Sequence, residues 1–155
     1  CGCPPCFALR RGLPRALGSH MEAVMQDKDW RLLLGTARRT LGKGASLSWG
    51  SESWCAWTTF TSLQSELTYW HCGIPEEHEL LETSTADGGT WGQPFKYSDI
   101  AHFIVPAQFY WEQFDETGQF RNGHKTQNLA HLSKELGALG IPHRTTELVL
   151  EVKLY

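Results

Sequence analysis

Six histidines follow residue 21, namely His71, His78, His102, His124, His131 and His143, and with Cys72 they are the side chains best suited to acid/base, nucleophilic or zinc chemistry. None forms the helical histidine pair with an intervening glutamate that a hydrolytic zinc site uses. His71, Cys72 and His78 are close in the chain, so they offer either a small metal site or a Cys72 thiolate activated by a neighbouring imidazole. A small hydrolase-like enzyme is the activity that either arrangement implies. There is no glycine-rich phosphate loop, no Gly-x-Ser-x-Gly elbow and no aspartate-rich calcium loop to name a different reaction.

Carboxylates form the second set. No Lys or Arg occurs between Lys43 and Lys96, whereas Glu52, Glu66, Glu76, Glu77, Glu79, Glu82 and Asp87 all fall there. A segment with one sign of charge repels nucleic-acid phosphates and attracts cationic partners, although a solvated acidic face is the plainer alternative. General acid/base work would need one of these carboxylates in a perturbed environment, which no spacing can reveal.

Aromatics form the third set. Phe109, Tyr110, Trp111, Phe114 and Phe120 surround Asp115-Glu116-Thr117-Gly118, and Asn122-Gly123 follows. Such turn chemistry predicts a hairpin or an ordered excursion that either packs on the core or presents a binding surface. Trp49, Trp54, Trp57 and Trp70 are concentrated near the acidic block. Large aromatics usually fill a core, but they also stack on sugars, so an aromatic-lined small-molecule or carbohydrate-binding module is a further alternative.

The elements that must position these groups are legible in part. Of the 155 residues 41% are hydrophobic, enough for one domain with one core. Residues 1–21 have no clear period and end in Gly18-Ser19-His20-Met21, the form of a cloning scar, so they read as a leader of that origin or as a disordered one. They contain Cys1, Cys3 and Cys6, half of a zinc set at most. The expected domain, residues 22–155, holds 11 basic against 17 acidic side chains, a net charge of −6. Cys55 and Cys72 are its only cysteines and are expected as reduced thiols.

Asp27 or Asp29 can cap a first helix running to about Leu41, with Trp30, Leu33, Leu34, Ala37 and Leu41 inward and Gly42 at its end. Alternation around Leu47 and Trp49, then from Trp54 to Phe60, predicts a hairpin turning at Gly50-Ser51-Glu52-Ser53. Ser62 to Cys72 is ambiguous, with a strand favoured from Glu66, and Pro75 starts a short acidic helix. Ile100 to Val105 has the length of a buried strand. Leu129, Leu132, Leu136 and Leu139 share one helical stripe over Thr126 to Leu139, which Gly140, Ile141 and Pro142 terminate. Leu148, Leu150, Val152 and Leu154 alternate along a closing strand from Thr146 to Leu154. The order predicts an α+β fold, a mainly antiparallel sheet with helices packed on one face and a C-terminal helix-strand unit. Within it, Ile100 to Leu154 has room for a crossover between parallel strands.

The opening Asp27-Lys28-Asp29-Trp30 helix, the amphipathic helix, the Gly-Ile-Pro-His turn and the strand Leu148 to Tyr155 resemble small bacterial immunity proteins of polymorphic toxin systems. That resemblance is one of layout over residues 26 to 155 and carries no residue roles with it. It implies a non-enzymatic inhibitor that binds one cognate protein toxin domain, and a one-sign acidic segment suits the cationic cleft of such a toxin. The expected contact surface is Glu76, Glu77, Glu79, Glu82 and Asp87 with Tyr110, Trp111 and Phe114. No cofactor, metal, nucleic acid or membrane is expected as a partner, and a cytoplasmic location follows from the absence of a signal or spanning segment.

Overall fold

The computed structural model describes residues 25–86 and 94–155. The leader, Asp87 and Trp91 lie outside the described residues. In chain order the elements are α1 (Asp27–Leu41), β1 (Cys55–Thr59), α2 (Phe60–Ser65), β2 (Trp70–Cys72), β3 (Ser84–Ala86), β4 (Pro94–Lys96), β5 (Ile100–Pro106), β6 (Gln108–Phe114), β7 (Phe120–Thr126), α3 (Leu129–Ala138), β8 (Arg144–Thr145) and β9 (Val149–Lys153). Short 3-10 turns lie at Ser48–Gly50, Glu77–Glu79 and Tyr97–Asp99.

Five strands make one antiparallel sheet in the order β2-β1-β5-β9-β8, and β3-β4 and β6-β7 form two separate ribbons. The fold is therefore α+β. Alternation along the central strands decides which face is covered. Cys55, Trp57, Phe103, Val105, Leu150 and Val152 enter the core, where they meet Trp30, Leu33, Leu34 and Ala37 of α1 and Leu129, Leu132 and Leu136 of α3. Burial at that density stabilises by about 2 kcal/mol per large side chain. The ring of Trp30 meets Phe103 edge-on at 6.1 Å.

Local chemistry explains the helix ends. Gln26 caps α1, and Asp29 reaches back to accept the Gln26 amide at 2.9 Å, so the expected aspartate acts from the first turn and not from the cap itself. Asn128 caps α3 through the His131 amide, and Gly140 takes φ 71° so that the Ile141 amide can reach the Leu136 carbonyl.

Three expectations are corrected. The segment with Leu47 and Trp49 is no strand: Ser51 Oγ accepts the Ala45 amide, Ser53 Oγ donates to the Gly42 carbonyl, and β1 pairs with β2. Backbone of Gly44 and Gly73 then packs so closely that a Cβ on either would collide with the other loop's main chain. The strands at the two ends of the Ile100–Leu154 segment are antiparallel, because β6-β7 turns back before α3. The closing strand is shorter than expected, and Leu148 is exposed outside it.

Candidate functional site

The ribbon β6-β7 leaves the sheet at the Pro106 end of β5, and its seven paired positions divide its side chains between two faces. Phe109, Trp111, Gln113, Arg121, Gly123 and Lys125 point one way, and Tyr110, Glu112, Phe114, Phe120, Asn122 and His124 the other. The first face docks. Phe109 is buried and stacks on Trp54 at 5.7 Å, and the Trp111 ring lies over Gly123, where a side chain would touch it.

Two polar clamps fix the root. Lys125 Nζ donates to the carbonyls of Trp49 and Ser51 at 2.8 Å each and to that of Ser48 at 3.4 Å. The buried Gln127 amide donates to the Trp54 and Pro106 carbonyls and accepts the Trp54 amide, all within 2.9 Å. At the tip, Asp115 accepts the Thr117 hydroxyl, the Gln119 and Thr117 amides and the Arg121 guanidinium. The Thr117 hydroxyl first, then the Gln119 amide and Arg121, hold its carboxyl down at about 2.

The outward face has no cover among the described residues. Tyr110 is 46% exposed, Phe114 73% and Phe120 48%, in T-shaped pairs of Tyr110 with His124 and Phe114 with Phe120. The ribbon is thus anchored at its root, ordered within its own turn and bare along one aromatic side, a preorganised surface that loses little entropy on docking.

The expected contact residues separate accordingly. Tyr110 and Phe114 stand on the bare face, whereas Trp111 belongs to the docked face and is half-buried. The acidic group sits elsewhere, against α1. Glu76 faces Arg38 and His78, each at 3.4 Å, and Glu79 turns back to accept the Glu76 amide at 2.7 Å. Glu77 and Glu82 are exposed, and Asp87 is not among the described residues. The one-sign run in sequence is therefore partly neutralised in space by an arginine 38 positions earlier.

His71, Cys72 and His78 are not brought together. Strand alternation sends His71 outward beside Trp54 while Cys72 is buried opposite Cys55, and His78 is on an exposed turn. Burial, then the neighbouring Cys72, pushes the Cys55 thiol up, so Cys55 is no ready thiolate. Among the described residues no group of three His, Cys, Asp or Glu could hold a metal.

A different polar cluster went unforeseen. At the opposite end of the sheet His102 Nε2 donates to Glu151 at 2.7 Å, Arg144 Nε donates to the same carboxylate at 2.6 Å, and the Tyr69 hydroxyl meets His102 Nδ1 at 2.8 Å. His102 and Glu151 are each only 8% exposed. Burial works to raise the Glu151 carboxyl, but hydrogen bonds from His102 and Arg144 outweigh it and the net direction is down. Both ring nitrogens of His102 are engaged, one by the Glu151 carboxylate and the other by the Tyr69 hydroxyl, so the cluster ties β5, β9 and the segment before β2 together. It floors a cleft of about 710 Å³ whose walls include Met25, Phe60, Tyr97, Pro142, Val152 and Leu154.

Comparison of the chain with protein-family models, curated proteins and solved structures finds no match. No helix among the described residues is long and apolar enough to cross a membrane.

Proposed function

We propose that this chain is a non-enzymatic protein-binding inhibitor of the immunity type, which captures a cognate toxin domain on the outward face of the β6-β7 ribbon. The observation that carries this reading is a ribbon clamped at its root and ordered within its turn that nevertheless leaves Tyr110, Phe114 and Phe120 in solvent. Rigid aromatics with few rotatable bonds are the side chains that dominate protein interfaces, and a stable patch of them on an isolated chain marks a contact surface. The acidic residues take a lesser part. Glu76 and Glu79 are occupied within the chain, so Glu77 and Glu82 are left to steer a cationic partner and not to dock it. A cytoplasmic site of action belongs to the same proposal.

Co-expression with the product of the neighbouring reading frame tests it. The wild-type chain is expected to protect growth and to form a complex of one copy each, and the triple variant Tyr110→Ser/Phe114→Ser/Phe120→Ser to lose both while keeping its unfolding curve. Protection and binding that survive the triple variant would remove the ribbon from the reading. A neighbour that is neither toxic nor bound would remove the inhibitor function.

A further inference from the structure

The hydrogen-bond parity of β9 leaves one stretch of its edge open. Leu154 donates to the Ala101 carbonyl and Leu148 accepts the Ala107 amide, so the even-numbered residues of this strand face β5. Val149 accepts the Thr146 amide, and the odd-numbered residues face β8. The register that pairs Thr145 with Leu150 and Arg144 with Glu151 would bring Pro142 opposite Lys153. Proline has no amide proton and β8 stops before reaching it, so the amide and carbonyl of Lys153 are without a strand partner among the described residues. That open edge lines the 710 Å³ cleft, as do Val152, Leu154, Pro142 and Arg144.

Charge in the cleft is uneven in a useful way. Of its two carboxylates Glu151 is already met by His102 and Arg144, and Asp27 lies in the first turn of α1, where the exposed amides favour it. Of its cations Arg144 is committed to Glu151, whereas Lys153 makes no ion pair among the described residues and rests its ammonium 4.4 Å over the Tyr155 ring. His143 brings no charge partner either, since its ring bridges the Ser133 hydroxyl and the Ile141 carbonyl. Three complementary features thus meet: an unpaired backbone donor and acceptor, an uncompensated ammonium beside them, and apolar walls from Met25, Phe60, Tyr97 and Leu154.

We infer that this cleft binds the free C-terminal end of an extended peptide, whose backbone pairs with Lys153, whose carboxylate meets the Lys153 ammonium and whose apolar last side chain enters the cleft. An extended chain is the occupant because a strand edge offers main-chain hydrogen bonds that a small acid cannot return. The site is distinct from the ribbon, which leaves the sheet at the other end of β5.

The test uses the full chain and a bead-bound peptide library randomised in its last four positions, displayed with free C-terminal carboxylates and, in parallel, as C-terminal amides. The carboxylate library is expected to be enriched for apolar last residues. An enriched peptide made in fluorescent form should bind at least tenfold more tightly than its amide, and Lys153→Glu should cost at least as much. The ribbon triple variant should bind that peptide unchanged, which keeps this outcome separate from failure of the inhibitor reading. Unfolding curves of Lys153→Glu and Lys153→Met control for fold, and the exposed position of Lys153 makes both folded. Hydrogen exchange supplies a second readout: the Lys153 amide should be unprotected in the free protein and protected by peptide. No enrichment, equal binding of the amide, or octanoate competing as tightly as the peptide would overturn the proposal. So would a Lys153 amide already protected in the free chain, which would mean that the chain occupies its own edge.

Discussion

The two ends of the central sheet solve opposite problems. At the Pro106 end of β5 the polar groups of Lys125, Gln127 and Asp115 satisfy backbone, and the aromatics beside them are left in water. At the His102 end a carboxylate, an imidazole and a phenol satisfy one another, and the amide and carbonyl of Lys153 are left without a strand partner among the described residues. What is unsatisfied differs, apolar surface in one case and main-chain hydrogen bonds in the other, and each end therefore suits a different kind of contact. The comparison also separates stability from recognition. Deletions at the buried cluster should destabilise the chain, whereas deletions on the bare ribbon face should leave its stability nearly unchanged.

The largest expected effect is at Glu151. Glu151→Ala leaves His102 and Arg144 facing an empty, largely buried position, and breaking such a set should cost about 3 kcal/mol of unfolding free energy in urea titration. A loss below about 1 kcal/mol would show that water already solvates the cluster. Gln127→Ala comes next, because it strands two carbonyls and one amide at the ribbon root, and a loss of about 2 kcal/mol is expected by the same measurement.

Acid should reveal the same asymmetry. Glu151 is held below its ordinary value of 4.5, so its contribution is complete above about pH 4.5 and is lost as pH falls through the folded value. Thermal unfolding between pH 6 and pH 3 should therefore fall more steeply for the wild type than for Glu151→Gln, which keeps the shape without the charge. Asp115 is also held low, at about 2, but on an exposed tip. Its titration by carboxyl chemical shift should have a midpoint near 2, with the Thr117 and Gln119 amide signals moving together, and the stability that this low value implies is lost only as pH falls from about 3.8 towards 2.

The features that local pattern fixes were legible, and those that distant contacts fix were not. The leucine stripe of α3 with its Gly140-Ile141-Pro142 stop, and the Trp30 to Ala37 face of α1, follow from period alone. The ribbon was announced by its turn residues. By contrast, the serine turn at 51–53 reads as a hairpin until Gly44 and Gly73 are seen to cross, a meeting of loops nearly thirty residues apart. The two residues of β8 are exposed and carry no alternation to detect. Glu151 lies on the polar side of an alternating strand and would be placed in solvent, because nothing near it in sequence tells that Tyr69 and His102 arrive on the same face. Nor could the acidic run show that Glu76 is met by an arginine, because that arginine comes from α1.

The smallest expected effect on stability is also the sharpest discriminator. Phe114 and Phe120 touch mainly each other, their T-shaped pair at 5.6 Å being worth about 0.5 to 1.5 kcal/mol at most when well ordered, and less at a solvated tip. Changing both to serine should move the unfolding free energy by no more than about 0.5 kcal/mol. Binding of a toxin domain should nevertheless weaken at least tenfold, because these rings supply apolar area that no other side chain of the ribbon can replace. If instead stability dropped by several kcal/mol, the rings would be core for a part of the chain beyond the described residues, and the contrast between the two ends of the sheet would collapse.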